Sequence, residues 1–312
     1  MKENNFTYRK YSLMQTKKLS LSKLINMKSY YLYIIVAAFL CITISELPAQ
    51  SIETQLKQVS LENTQQFTIK SKYVNNENYV IQVGLPNGYA RSDKSYPVLY
   101  VLDGDKSFGM TKEITDWLTF TSEIRNIIIV GISYGKGTNS WWEKRTRDFT
   151  QYKDTAYYYY PNAGGADNFI NFIKNELFPV VNKSYHTIPD SNAIVGLSFG
   201  ALLGTYVLFT QPDMFKSYII ISPSLFFNNN SILIAEAEYF RKHKELNKTI
   251  FMAYGSLDNN DWVINPTTEL IKIMEMHKYE GLKFTQQVFK GETHISVFPV
   301  ALTHGLKLVF KR

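Results

Sequence analysis

The 312 residues include 34 Lys or Arg and 27 Asp or Glu, but residues 1–50 hold seven of the basic and only two of the acidic side chains. Residues 51–312 are therefore close to neutral, which leaves no electrostatic case for nucleic-acid binding. The only cysteine is Cys41, which excludes disulfides, a thiol nucleophile and a thiolate metal site from residues 51–312.

Residues 1–50 have the pattern of an export signal. Scattered basic residues precede an uncharged stretch, Ser29–Ser45, whose centre is strongly apolar. A membrane-spanning helix needs about 20 apolar residues, so the pattern favours a cleaved signal peptide over a permanent anchor. A retained membrane anchor and lipidation at Cys41 are the alternatives, and Met27 is an alternative true start. We expect a periplasmic or secreted protein with no membrane attachment beyond this signal.

Residues 51–312 alternate short β-rich runs with amphipathic helical runs. An antiparallel strand pair is predicted first, at Phe67–Val74 and Asn78–Leu85. Further strands are predicted at Tyr96–Leu102, Ile127–Ile132, Ala193–Leu197, Tyr218–Ile221, Ile250–Tyr254 and Lys283–Phe289. Helices are predicted at Ser107–Phe120, Asp167–Val181, Ala201–Thr210, Ile232–Leu246, Thr267–His277 and Val297–Val309. This alternation predicts one α/β domain, with a mostly parallel sheet, an antiparallel N-terminal strand pair and helices on both faces.

The stretch 133–165 breaks this alternation, because it shows no clear period. It carries Trp141, Trp142 and the run Tyr157-Tyr158-Tyr159-Tyr160. Loops this long in compact domains are usually functional or disordered, and the aromatic content favours an ordered substrate loop over the edge of the sheet. A surface excursion without a function is the alternative. We expect Trp142 to contact the substrate, since aromatic side chains stack on rings.

A G-x-S-x-G sequence follows the strand at Ala193–Leu197. It reads Gly196-Leu197-Ser198-Phe199-Gly200, and an Ala/Leu-rich helical run comes after it. Strand, turn and helix in this order are the setting of a nucleophile elbow, typical of the α/β-hydrolase fold. The turn would hold Ser198 above the sheet, at a helix N-terminus whose dipole favours negative charge. A serine that only caps a helix is the alternative.

A serine hydroxyl is a poor nucleophile at neutral pH unless an adjacent base accepts its proton. In this fold the partners follow in the order Ser, acid, His. His294 comes just after the last predicted strand, at the sheet edge where such folds place their chemistry, whereas His304 falls inside a helix. Asp258 is the first carboxylate after the preceding strand, and Asp261 is the alternative acid. Either Asp could instead stabilise a turn or cap a helix.

An oxyanion hole needs two backbone N–H groups. Phe199, directly after the predicted nucleophile, is expected to supply one of them. The other is expected from Asp105, in the loop Asp103-Gly104-Asp105 that leaves the strand at Tyr96–Leu102. Because Asp105 would contribute only its backbone, we expect its side-chain identity not to matter.

These motifs, taken together, resemble the putative-esterase (esterase-D-like) family of α/β-hydrolases over most of residues 65–312. The segment Arg147-Asp148-Phe149-Thr150 and the Gly164-Gly165 pair after it are most similar to the siderophore (enterobactin-type) esterase branch. Feruloyl esterases and formylglutathione hydrolases usually carry His-Gly where this chain has Asp103-Gly104, which moves it away from those branches. The resemblance implies a Ser198 nucleophile, a His294 base, oxyanion donors at Phe199 and Asp105, and Arg147 near the substrate.

The predicted activity is hydrolysis of a carboxylic ester through an acyl-enzyme intermediate, which requires no metal and no cofactor. The expected partner is a small-molecule ester from exported or extracellular material, such as a siderophore lactone, an acylated sugar or a small aromatic ester. An acyltransferase that uses the same serine is an alternative, because both reactions share the first half. A catalytically silent binding protein of the same fold is the third possibility.

Overall fold

The computed structural model describes residues 32–36, 59–135, 140–153 and 160–312. Residues 32–36 are helical and exposed, whereas the rest of the predicted signal peptide, with Met27 and Cys41, lies outside the described residues. In the ranges described, no helix is both long and apolar enough to cross a membrane. The chain divides into two compact units, Met1–Val59 and Ser60–Arg312, and all strands and numbered helices lie in the second.

The described residues form an eight-stranded sheet with the order β1-β2-β4-β3-β5-β6-β7-β8. Its strands are β1 (Thr64–Lys70), β2 (Asn78–Gly84), β3 (Val98–Val101), β4 (Ile128–Ser133), β5 (Ala193–Leu197), β6 (Ser217–Ile221), β7 (Thr249–Gly255) and β8 (Lys283–Phe289). The pairs β1–β2 and β2–β4 are antiparallel, and the other five pairs are parallel. This mixed, mostly parallel sheet confirms the predicted fold class.

Helices connect the strands and cover the sheet. Those of seven or more residues are α1 (Gly104–Phe120), α2 (Trp141–Phe149), α3 (Ala166–Phe172), α4 (Phe178–Ser184), α5 (Phe199–Thr210), α6 (Ile232–Lys242), α7 (Asn265–His277) and α8 (Val297–Val309). A π-helical turn, Ile173–Leu177, joins α3 to α4. The predicted helix at Asp167–Val181 is thus a helical run with a π-helical turn inside it.

Alternate side chains of the central strands enter two hydrophobic cores, one on each face of the sheet. In β3, Val98 and Tyr100 belong to the core that α5 and α6 cover, and Leu99 and Val101 belong to the core that α1 and α8 cover. Because all four side chains are buried, the strand is an unbroken apolar run rather than an alternating one.

The interpretation of residues 133–165 as a stretch without regular structure is wrong over α2. This helix buries Arg145 and Asp148 on its inner side, together with Phe149. With three apolar side chains in nine residues, and with charged side chains among the buried ones, α2 is too short and too polar to be recognised from apolar residues alone. Residues 136–139 and 154–159, which include three of the four consecutive tyrosines, lie outside the described residues.

Candidate active site

Ser198 lies in a tight turn between β5 and α5, at the carboxyl edge of the sheet. Its backbone has φ 60° and ψ −120°, a conformation that is strained for a residue with a side chain. A Cβ on Gly196 would lie 2.4 Å from the carbonyl carbon of Gly200, so this turn requires glycine there. A Cβ on Gly200 would meet Leu102 at 3.5 Å, an ordinary contact. The first glycine of the motif is therefore sterically required, and the second is not.

The Ser198 hydroxyl is held at the N-terminus of α5 by a second serine. Its Oγ lies 3.0 Å from Oγ of Ser224, and the Ser224 N–H donates to the Ser198 carbonyl at 3.2 Å. Ser224 was not among the predicted site residues. It lies just after β6, so the rule that parallel strands end at one functional edge would have indicated this position.

Asp258 and His294 meet at the carboxyl edge of the sheet, after β7 and β8. Oδ1 of Asp258 is 2.7 Å from Nδ1 of His294. The other carboxylate oxygen accepts the Ser222 hydroxyl at 2.5 Å and the Gly255 N–H at 3.4 Å. The Asp258 side chain is fully buried, so its charge depends on these donors rather than on water.

The alternative acid and the alternative base lie elsewhere. Asp261 is exposed, and its backbone N–H donates to the side chain of Asn259 in the first turn of a π-helical segment. His304 is an exposed residue of α8, with its ring 5.1 Å from the ring of Phe289. Of the candidates weighed from the sequence, the structure therefore pairs Asp258 with His294.

Asp258 has a pKa below its ordinary value of 3.8. Burial acts in the opposite direction and raises the pKa, but the hydrogen bonds from His294 and Ser222, the charge of a protonated His294 and the Gly255 N–H together outweigh it. The carboxylate is consequently ionised at neutral pH, the state in which it can orient an imidazole and stabilise its protonated form.

Close packing of two loops brings Asp258 and His294 together. A Cβ on Gly255 would lie only 2.2 Å from the carbonyl oxygen of Glu292, so only glycine allows this approach. The same carbonyl oxygen accepts the Leu257 N–H at 2.9 Å. Gly255 therefore allows the loop that carries Asp258 to pack directly against the loop that carries His294.

The two predicted oxyanion donors each lie in the first turn of a helix that follows a central strand. Phe199 is the first residue of α5 and Asp105 is the second residue of α1, and these helices follow the adjacent parallel strands β5 and β3. Backbone N–H groups in the first turn of a helix have no acceptor within that helix. Both amides are thus located where a helix dipole attracts negative charge.

The Asp105 side chain, whose identity was expected not to matter, makes hydrogen bonds in the structure. Its carboxylate accepts the N–H of Tyr134 at 2.7 Å and the N–H of Gly135 at 3.0 Å, both just after β4. The neighbouring Asp103 carboxylate is also engaged, in a two-point ion pair with Arg145 at 2.9 and 2.8 Å. Sequence reasoning had assigned neither carboxylate a partner.

Arg147 is not brought to the site, which corrects the expectation drawn from the resemblance. Its guanidinium bonds to Asp148 at 2.7 Å and to Glu77 at 3.2 Å. Successive residues of an α-helix are about 100° apart, so Arg145 and Arg147 face nearly opposite sides of α2. Among the described residues that line the cavities at Ser198, Arg145 is present and Arg147 is not.

Two cavities flank Ser198 and His294, with volumes of about 570 and 440 Å³. The larger has a mainly apolar wall with two cationic residues, and its lining includes Met110, Trp141, Phe298, Pro299, Lys106 and Arg145. The smaller combines aromatic rings with polar groups, and its lining includes Tyr160, Phe226, Trp262, Ser224, Asn259 and Thr293. Trp142 lines both cavities.

Comparison with known proteins identifies a consistent set of relatives. The family model described as "Putative esterase" matches residues 71–307. The chain is 31% identical over 228 residues to ferri-bacillibactin esterase BesA of Bacillus subtilis, covering 68% of this chain and 78% of the relative. It is 27% identical over 289 residues to the siderophore triacetylfusarinine C esterase of Aspergillus fumigatus, covering 81% and 95%. The crystal structure of an IroE-like serine hydrolase from Shewanella oneidensis matches with a TM-score of 0.69 and 28% identity, covering 79% of this chain and 80% of that one.

Proposed function

Because the chain belongs to the putative esterase family and is a carboxylic ester hydrolase, we propose that it cleaves its substrate with Ser198 as the nucleophile. His294 is the general base in this proposal, and Asp258 is the acid that orients it. The observation that carries the proposal is that Ser198, in its strained turn, lines the same cavity as His294 and the buried Asp258 bonded to it. The similarity to a serine hydrolase of Shewanella oneidensis supports the choice of nucleophile.

In the proposed reaction, the Ser198 hydroxyl exchanges its hydrogen bond with Ser224 for one to His294. As Oγ attacks the ester carbonyl carbon, the imidazole takes the hydroxyl proton. The carbonyl oxygen becomes an oxyanion, to which the backbone N–H groups of Phe199 and Asp105 donate hydrogen bonds. The C–O bond to the leaving alcohol then breaks, and the imidazolium returns its proton to that alcohol. Water repeats the sequence on acyl-Ser198 and releases the acid.

We propose a siderophore ester as the substrate class. Support comes from the two siderophore esterases among the relatives and from the aromatic walls of both cavities, which fit ring-bearing groups on either side of the scissile bond. An acylated sugar and a small aromatic ester are the competing substrates. Transfer of the acyl group to an acceptor alcohol, the competing reaction, differs only in what attacks the acyl-enzyme.

The test is a comparison of esters at matched concentration. Purified protein is incubated with iron-bound and iron-free bacillibactin, an acetylated xylo-oligosaccharide and p-nitrophenyl acetate, and products are separated by liquid chromatography with mass detection. The proposal predicts the highest kcat/KM for the siderophore, complete loss in Ser198→Ala, and the free acid as product even with added glycerol. Preference for the sugar would overturn the substrate class, and glyceryl esters would indicate a transferase.

We propose that the protein is exported from the cytoplasm. The support is the basic and apolar pattern of residues 1–50. N-terminal sequencing of the protein recovered from periplasm or medium should find a start after the apolar stretch. A chain that keeps residues 29–45 would favour the anchor, and a start at Cys41 with a lipid adduct would favour lipidation.

A further inference from the structure

We infer that Asp103, Asp105 and Arg145 act together as positioning residues for the oxyanion hole, through the backbone amide of Asp105. This inference rests on the proposed serine mechanism. The three residues form an oxyanion clamp, a set of side-chain bonds that ties the first turn of α1 to the loops on either side of it. None of the three is required to touch the substrate for this role.

The Asp105 arm of the clamp fixes α1 to the end of β4. Its carboxylate receives the N–H groups of Tyr134 and Gly135, so both oxygens are engaged and the side chain bridges two consecutive amides. Bonds from N–H donors to an ionised carboxylate are stronger than bonds between neutral groups. Gly104 adds to the fit, because a Cβ there would lie 2.4 Å from the Ser133 hydroxyl. The first turn of α1 is therefore seated closely against this loop.

The Asp103 arm fixes the same turn to the end of β5. Arg145 holds Asp103 through Nε and Nη2, and Nη2 also donates to the carbonyl of Leu197 at 3.3 Å. Leu197 directly precedes Ser198. A single guanidinium thus joins the loop that carries one proposed oxyanion donor to the strand end that carries the nucleophile and the other donor.

Sheet order explains why two arms are needed. The strands β4, β3 and β5 are neighbours in that order, and the amide of Asp105 follows the middle one. The Asp105 arm bonds to the end of β4 and the Asp103 arm bonds to the end of β5, so the Asp105 amide is held from both sides. A displacement of about 1 Å at a reacting centre can cost about a hundredfold in rate, which makes this restraint consequential.

Arg145 also neutralises the charge of Asp103 near the proposed oxyanion hole. An Asp103 oxygen lies 3.6 Å from the position that a Cβ on Gly200 would take, beside the N-terminus of α5. An unpaired carboxylate there would repel the oxyanion formed in the reaction. Arg145 cancels this charge and is itself enclosed by four aromatic rings, whose centroids lie 5.2 to 5.6 Å from its guanidinium carbon: Trp141, Trp142, Phe149 and Phe199.

The experiment uses the full-length protein with one variant on each arm, Asp105→Asn and Arg145→Lys. Asn accepts only one of the two N–H groups, and Lys cannot make the two-point contact. We measure kcat and KM for p-nitrophenyl acetate and the inhibition constant of phenylboronic acid, which forms a tetrahedral adduct on an active serine. Rates are expressed per chain titrated to completion with a fluorophosphonate, so that misfolded protein is not counted. The matched control is Glu113→Gln, an exposed carboxylate in the same helix.

Each variant should lower kcat by about 10- to 100-fold and raise the inhibition constant of phenylboronic acid by a similar factor. Complete loss of an oxyanion donor lowers kcat by about 10²- to 10³-fold, and these variants displace the donor without removing it. KM should change less than about threefold, and Glu113→Gln should match the parent. Unchanged kcat in both variants, or a change confined to KM or to the urea midpoint, would overturn the clamp. The proposed function fails separately, if Ser198→Ala keeps the parental rate.

Discussion

Replacement of Asp258 by Asn separates the role of its charge from its shape. In the parent, one oxygen faces Nδ1 of His294 at 2.7 Å and the other receives Ser222 and Gly255. The side-chain NH2 group of Asn must face either His294 or the pair Ser222 and Gly255. If it faces His294, it forces the imidazole proton onto the nitrogen that should accept from Ser198. If it faces Gly255, the NH2 group and the Gly255 N–H are two hydrogen-bond donors that face each other without an acceptor.

The size of the effect follows from both losses. In either orientation the imidazolium formed during the reaction has no buried negative partner, and in one orientation the imidazole is the wrong tautomer. We expect a loss of about 3–5 kcal/mol of transition-state stabilisation, which corresponds to roughly 10²- to 10⁴-fold in kcat. KM should change little, because the Asp258 side chain is fully buried and bonds to His294.

The assay is p-nitrophenyl acetate hydrolysis at neutral pH, with circular dichroism to confirm that the variant is folded. The matched control is Asp261→Asn, which makes the same chemical change three residues away on an exposed side chain and should retain the parental rate. A kcat for Asp258→Asn within about threefold of the parent would refute the reasoning. Equal losses in the two variants would show that the effect does not depend on the bond to His294.

Further predictions concern stability and are read from urea unfolding. Gly255→Ala should lower the free energy of unfolding by about 1–3 kcal/mol, because its Cβ would collide with Glu292. Gly204→Ala, in α5 where the added Cβ meets nothing within 4 Å, should raise it by about 0.5–1 kcal/mol. Ser222→Ala should lower it by about 1–2 kcal/mol, since Asp258 loses a donor. The folded pKa of Asp258 is lowered, so its contribution is complete above about pH 4 and is lost as pH falls through that folded value. Asp258→Asn should therefore be less destabilising at pH 3 than at pH 7.

One physical rule made the central strands predictable from the sequence, and another made the positions of the main site residues predictable. Strands such as β3 are buried on both faces, which makes them continuous apolar runs in the sequence. Parallel strands bring their carboxyl ends to one edge, so residues just after β5, β7 and β8 had to converge. That rule placed Ser198, Asp258 and His294 together without knowledge of any contact.

What was missed depends on side-chain direction and on buried charge. The helix α2 has only three apolar side chains in nine residues and buries the charged Arg145 and Asp148, so apolar residues alone did not identify it. Without the helix, the opposite directions of Arg145 and Arg147 could not be foreseen. The bonds of Asp105 to the backbone after β4 are contacts between distant parts of the chain, which spacing along the sequence does not encode.

The central claim is that Ser198 forms a covalent bond to the acyl group. Its most direct test is peptide mapping by mass spectrometry after the protein reacts with a fluorophosphonate, with Ser198→Ala treated in parallel. We predict one adduct per chain, on the peptide that contains Ser198, and no adduct in the variant. An adduct on any other residue, or equal labelling of the Ser198→Ala protein, would contradict the assignment.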